Sequence, residues 1–163
     1  MEIALESEGG EQAEEYVGAA REVLGAPKET DLPLLVLINP KSGPGRALAM
    51  WNKVGEPVIC QDAGHRVEVV VTERANHARD LMCHHEDLCA AYKGAVIISG
   101  DGLLFEVIQG IMARKDWAKC ARTLKLGILP GGSGNGLAKS INEQARLPHG
   151  ALSSAFVVAK AQS

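Results

Sequence analysis

Four times between Leu32 and Ile141 a short apolar run ends in a loop of glycine and small polar residues, and helical spacing follows. The runs are Leu34-Leu35-Val36-Leu37-Ile38, Arg66 to Thr72, Ala95 to Ile98 and Leu124 to Leu129. Each is strand length, and the first is apolar at every position, as a strand buried on both faces requires. The spacing predicts helices over 47–54, 76–92, 103–113 and from Leu137, with a last one over 151–161. Strand and helix in alternation give βαβ units with right-handed crossovers. The expected fold is therefore a three-layer α/β lobe around a mostly parallel sheet.

The unusual loops all follow strands. They are Asn39-Pro40-Lys41 with the glycines after it, Thr72-Glu73-Arg74-Ala75-Asn76, Ser99-Gly100-Asp101-Gly102, and Gly131-Gly132-Ser133-Gly134-Asn135-Gly136. In open α/β sheets ligands bind beyond the carboxyl ends of the strands. Loops almost a hundred residues apart in sequence are thus expected to converge on one edge.

Their residue types point to a phosphate. Dense glycine lets backbone approach a ligand and take positive φ, and the helix that follows offers unpaired N–H groups and a positive dipole end. Ser133 and Asn135 add short polar side chains, and Arg74 adds a cation for phosphate. Asp101 has the opposite sign, so beside a phosphate it needs a cation or a transferable proton; it also suits a helix cap. Glu106 falls near the first turn of the same helix. His77 reads as a helix-start residue. Cys83-His84-His85 and Cys89 have no second ligand pair, so no metal site is expected there. Two familiar motifs are absent. No G-x-x-x-x-G-K-[ST] occurs, and G-x-G-x-x-G fails because Phe105 and Leu137 occupy the sixth places.

Charge divides the chain. Residues 1–31 hold nine acids against two bases, a net of −7; residues 32–163 hold eleven acids against fifteen bases, a net of +4. The first stretch reads as an acidic tail, with Ala13, Tyr16, Val17, Ala20 and Leu24 at amphipathic spacing. The remainder reads as one domain whose basic excess suits an anionic ligand. It lacks the dense basic stripe with aromatics that marks nucleic-acid binding. No 18-residue apolar run is present, and Met1 to Glu15 lacks the basic-then-apolar order of a signal peptide. The four cysteines, with no C-x-x-C pair, are expected to be reduced thiols of a cytoplasmic protein.

Four stretches carry a family resemblance: "LLVLINPKSGPGRA", "VVVTERANHARDL", "VIISGDGLLFEVIQGIM" and "LGILPGGSGNGLAKS". In that order and spacing they resemble the catalytic N-terminal lobe of the sphingosine kinases, within the diacylglycerol-kinase-like superfamily. "SGDGL" points to that branch, where diacylglycerol and NAD kinases look more like Gly-Gly-Asp-Gly-Thr. The resemblance implies ATP along Asn39, Pro40 and Lys41, Thr72, Glu73, Arg74, Ala75 and Asn76, Glu106, and Gly132, Ser133 and Gly134. It implies that Ser99, Gly100, Asp101 and Gly102 face the lipid hydroxyl, with Asp101 as the catalytic acid/base and Mg²⁺ neutralising charge. The implied reaction is phosphorylation of sphingosine to sphingosine 1-phosphate, in the cytoplasm, with room for peripheral contact with a membrane. Another lipid kinase of the superfamily, or a module that binds nucleotide without turnover, stays open. The family also has a second, β-rich lobe after this point, so residues 32–163 are expected to form a truncated catalytic lobe with little activity of its own.

Overall fold

The computed structural model describes residues 32–161; the acidic tail lies outside them. In chain order the elements are β1 (Leu34–Ile38), a helical run beginning as α1 (Ala47–Met50), β2 (Val67–Val71), α2 (His77–His84), α3 (Leu88–Ala91), β3 (Gly94–Ser99), α4 (Asp101–Met112), α5 (Trp117–Thr123), β4 (Lys125–Pro130), α6 (Gly136–Gln144) and α7 (Ala151–Ala161). The strands form one sheet in the order β2-β1-β3-β4, and every neighbouring pair is parallel.

Side-chain alternation along β1 builds the three layers. Leu35 and Leu37 point into one core with Ala78, Met82, Val107 and Cys120, under α2 to α6. Leu34, Val36 and Ile38 point into the other with Trp51, Ile59, Val158 and Ala159, under the α1 run and α7. This is why β1 tolerates no polar residue, whereas the edge strand β2 leaves Val69 and Val71 partly exposed. The order also creates a switch point. The chain leaves β1 for β2 on one side and returns to β3 on the other, so the loops after β1 and β3 part from each other at neighbouring strand ends.

Several boundaries differ from the sequence expectation. The α1 helix does not stop at Val54 but continues as wide π turns through Trp51–Gly55 and Pro57–Asp62. Pro57 lacks an N–H and would crowd the carbonyl four residues back, and a wider turn relieves both. Gly55 has no Cβ because the Trp51 ring lies over it. The helix expected over 76–92 breaks at His85. There the buried Arg114 donates to the carbonyls of Met82 (2.9 Å), Cys83 (3.2 Å) and His85 (2.7 Å), drawing off the last carbonyls of α2. Asp116 holds the other side of that guanidinium at 2.8 Å, and this hydrogen bond holds the Asp116 carboxyl below its ordinary pKa. The short α5 was not expected at all.

The cysteines also depart from expectation. The sulfurs of Cys89 and Cys120 are joined, with Cα atoms 5.4 Å apart, tying α3 to α5. The partners are 31 residues apart, a pairing that spacing alone does not reveal. Cys60 and Cys83 are free.

Tyr92 gives this core a pH dependence. Its hydroxyl donates to Glu68 Oε2 at 2.6 Å, and burial, reinforced by Glu68, pushes its pKa up to about 12 from the ordinary 10. A phenol whose pKa is raised by folding adds stability that is complete below the unfolded value and is lost as pH rises through the folded one. Stability is therefore expected to fall between pH 10 and about 12. In Tyr92→Phe the fall over that window is expected to be shallower in denaturant titrations, and an unchanged profile would show that Tyr92 does not couple to folding.

Candidate active site

The loops after β1, β3 and β4 close on one another at the switch point. Ser42 of the first loop is buried, and its Oγ accepts from Ser99 Oγ (2.8 Å) and from the Gly100 N–H (3.2 Å). Gly131 N–H reaches Ser99 O at 3.1 Å, and Asp101 N–H reaches Gly134 O at 3.0 Å. Three loops are thereby locked into one rim. Above it lies a cleft of about 390 Å³, lined by Asn39, Ser42, Ser99 to Leu103, Glu106 and Gly132 to Gly134.

The glycines serve contact rather than unusual dihedrals. Among the described glycines, positive φ occurs at Gly43, Gly45 and Gly64 and not at Gly100, Gly102 or the 131–136 loop, so the positive φ expected there is not used. Instead a Cβ on Gly100 would lie 2.6 Å from Gly134 O, and one on Gly132 would collide with the backbone of Gly100. Gly132→Ala is accordingly expected to cost ~1–3 kcal/mol, the range for overpacking. Chemical denaturation measures it, and wild-type stability would mean that the two loops do not meet as described. Gly102 is different, since a Cβ there meets nothing within 4 Å.

Asp101 opens α4, yet its carboxylate caps another helix. Oδ2 accepts from Gly136 N–H (3.0 Å) and Oδ1 from Leu137 N–H (3.4 Å), the first turn of α6. These donors orient the exposed carboxylate at the cleft. The first turn of α4 has no such cap. Beyond the Asp101 N–H, which is already on Gly134 O, its N–H groups have no intrahelical acceptor, and its dipole presents a positive end to the cleft. Glu106, one turn further on, lines the same space, and its Oε2 is buried with no hydrogen-bond partner among the described residues. Phosphate oxygens would suit the N–H groups. A cation would suit the unpartnered Glu106 oxygen, with Asp101 on the same wall.

The other expected residues fall elsewhere. Pro40 and Lys41 flank Asn39 but do not line the cleft, and Lys41 N–H donates to Asn39 Oδ1 at 3.0 Å. Thr72 is buried at the end of β2, its N–H on Ile38 O at 2.8 Å. Glu73 N–H donates to His77 Nδ1 at 3.1 Å, so His77 is the helix-start residue its position suggested. Arg74 does not offer a bare cation: its guanidinium pairs with Asp80 at 2.7 Å and reaches Ala75 O at 3.2 Å. Asn76 takes φ 60°, a conformation Asn tolerates. Thr72 to Asn76 thus form a separate rim on the edge strand, next to β1. Asn135 also serves the loop itself, accepting from Gly132 N–H (3.0 Å) and donating to Gly132 O (2.6 Å). Ser42 was not singled out from sequence, because its partner lies 57 residues away. A cluster of Cys89, Asp116 and Cys120 within 4.8 Å is occupied by its own disulfide and by Arg114.

Fold and cleft together define a three-layer α/β lobe whose loops gather at one topological switch point. The chain belongs to the family described as diacylglycerol kinase catalytic domain, whose model matches residues 33–161. It is 42% identical over 112 residues to sphingosine kinase 1 of Mus musculus, covering 69% of this chain and 28% of that protein. To sphingosine kinase 1 of Arabidopsis thaliana it is 35% identical over 140 residues, covering 86% of this chain and 27% of that protein. The chain therefore spans about a quarter of the length of these two curated relatives. A crystal structure of a diacylglycerol kinase from Bacillus anthracis str. Sterne superimposes with a TM-score of 0.61 at 19% identity, over 82% of this chain and 42% of that one; this likeness is one of fold.

Proposed function

We propose that this lobe carries the phosphate-handling half of an ATP-dependent lipid kinase whose acceptor is a sphingoid base. The observation that carries the proposal is the meeting of Ser99–Gly102 with Gly132–Gly134 and Asn39 in one polar cleft at the switch point. The identity to sphingosine kinases favours a sphingoid acceptor over a diacylglycerol.

In this reading the α4 N–H groups and the Gly132–Gly134 backbone hold ATP phosphate oxygens. Asn39 lines the cleft with Pro40 and Lys41 outside it, toward the nucleotide's approach, and Thr72 to Asn76 flank the outer, nucleoside end. Ser99, Gly100 and Gly102 border the acceptor hydroxyl. Asp101, held in orientation by Gly136 and Leu137, takes the proton from that hydroxyl as its oxygen bonds to the γ-phosphorus and the β–γ bridging bond breaks. Mg²⁺, when bound, would neutralise phosphate charge, with Glu106 and Asp101 as the carboxylates facing it. Phosphoryl transfer leaves the protein mainly positioning and charge stabilisation to supply. A rim locked by Ser42, Ser99 and the glycine contacts suits that task. Such an enzyme works in the cytoplasm, meeting its lipid at a membrane surface; among the described residues no helix is long and apolar enough to cross one.

The cleft is mostly polar and offers little wall for a long alkyl tail, which needs an apolar pocket. The 163-residue chain alone is therefore expected to bind nucleotide weakly and to transfer no phosphate. Incubation with labelled ATP and Mg²⁺, with sphingosine or with diacylglycerol, beside a full-length relative tests this. Turnover of sphingosine at the relative's specific activity would show that one lobe suffices. In a chain completed to the relatives' length, preference for diacylglycerol would refute the sphingoid assignment.

A further inference from the structure

The bond between Cys89 and Cys120 closes a loop around the part of the chain that builds the cleft. Its partners are 31 residues apart. Between them run β3, the turn of Gly100, Asp101 and Gly102, and the whole of α4 with Glu106. The bond fastens α3, which precedes this unit, to α5, which follows it. These helices have four and seven residues, and helices so short depend on tertiary contact for stability. Part of that contact is the core. Cys120 is fully buried beside Leu104, Val107 and Ile111 of α4, and Leu88 of α3 lies in the same cluster. The bond therefore reinforces a packing that also has apolar support.

The surroundings suit the reduced pair as well as the joined one. A buried thiol needs an acceptor, and Asp116 Oδ2 lies 3.7 Å from Cys120 Sγ, within reach of an S–H donor. Arg114 fixes that carboxylate, with Nε on Oδ1 at 2.8 Å and Nη2 on Oδ2 at 3.3 Å. Reduction thus leaves no buried S–H without a partner at Cys120. Cys89 is half-buried, so its sulfur is the one an external thiol reaches. On the proposed function the chain works in the cytoplasm, where the disulfides that form are mostly transient or redox-sensing.

We propose that Cys89 and Cys120 are a reversible clamp on the β3–α4 unit, closed by a low-molecular-weight disulfide and opened by the corresponding thiol. In closing, the Cys89 thiolate attacks the small disulfide and one small thiolate leaves. Cys120 gives up its proton, for which Asp116 Oδ2 is an acceptor in reach, and its sulfur attacks Cys89 Sγ, expelling the second small thiolate. Two cysteine thiols and one small disulfide become one protein disulfide and two small thiols, with two electrons passing to the small disulfide. Opening is the reverse, begun by attack on Cys89 Sγ.

The test is a titration of the full 163-residue chain in mixtures of reduced and oxidised glutathione, quenched in acid, alkylated and mapped by mass spectrometry. The expected result is one reversible two-electron transition that joins the Cys89 and Cys120 peptides, with Cys60 and Cys83 alkylated throughout. The oxidised chain is expected to melt about 5–10 °C above the reduced one, the scale for closing a loop of this size. Amides of 88–92 and 117–124 are expected to exchange faster after reduction. Cys89→Ser, at the half-buried position, should melt as the reduced wild type does and lose the glutathione dependence. A bond that survives every mixture and opens only in denaturant would overturn the proposal in favour of a static bridge. Thiols that stay free in the most oxidising mixture would overturn it outright. So would stoichiometric zinc held by the reduced chain and lost in Cys89→Ser, which would make Cys89, Asp116 and Cys120 a metal site. Equal melting and exchange in both states would show that the bond clamps nothing. None of these readouts involves phosphoryl transfer, so failure here leaves the kinase reading standing.

Discussion

Asp101→Asn, in a chain completed to the length of its relatives, is expected to lower turnover by at least ~10²-fold, the scale of general acid–base contributions. The amide is nearly isosteric and its oxygen can still accept from Gly136 or Leu137 N–H, the two donors that hold the carboxylate. It cannot take a proton from a hydroxyl. Apparent affinity for ATP is expected to change little, so the loss should appear in kcat rather than in KM for nucleotide. If the N–H contacts were the only role of Asp101, the variant would keep activity within a few fold and lose melting temperature instead.

Gly102→Asp is the second large effect, and its physical basis is the reverse. The position tolerates a side chain, since a Cβ meets nothing within 4 Å and φ is not in the left-handed region. It lies in the first turn of α4, where an acid suits the helix dipole. Stability should therefore hold or rise slightly. The new carboxylate, however, enters the cleft beside the N–H groups that would meet phosphate. Activity is expected to be abolished and nucleotide binding with it, while the circular dichroism melt stays at the wild-type temperature. Gly102→Ala, which adds bulk without charge, separates the two causes and should retain part of the activity. Wild-type ATP turnover in Gly102→Asp would show that the α4 N-terminus does not approach the nucleotide.

The central strands were legible because β1 and β3 are buried at every position. β1 is apolar at every position because both its faces are covered, and an unbroken run of five such residues has few other uses. The convergence of loops followed from topology, as parallel strands put their carboxyl ends on one edge. Less was legible where long-range contact decides. The split of the 76–92 helix depends on Arg114, some thirty residues downstream, and Ser42 acquires its place only through Ser99. The glycines illustrate the difference. Their density announced a close approach, but the sequence suggested flexible dihedrals for a ligand, whereas Gly100 and Gly132 are small because they touch each other. Arg74 reads as a cation for phosphate from its residue type alone, and only the fold shows that Asp80, six residues on, pairs with its guanidinium. A local pattern indicates which residue types gather at the site; which of them are already occupied depends on the neighbours the fold supplies.

The central claim is that the switch-point cleft, and not another surface, receives the phosphates of ATP. Backbone amide NMR of the 163-residue chain titrated with ATP and Mg²⁺ tests it most directly. The expected shifts concentrate at Asn39, Gly100 to Leu103 and Gly132 to Gly134, and Gly102→Asp should remove them. Shifts that instead cluster away from these loops, or that survive Gly102→Asp unchanged, would contradict the assignment of this cleft to the nucleotide.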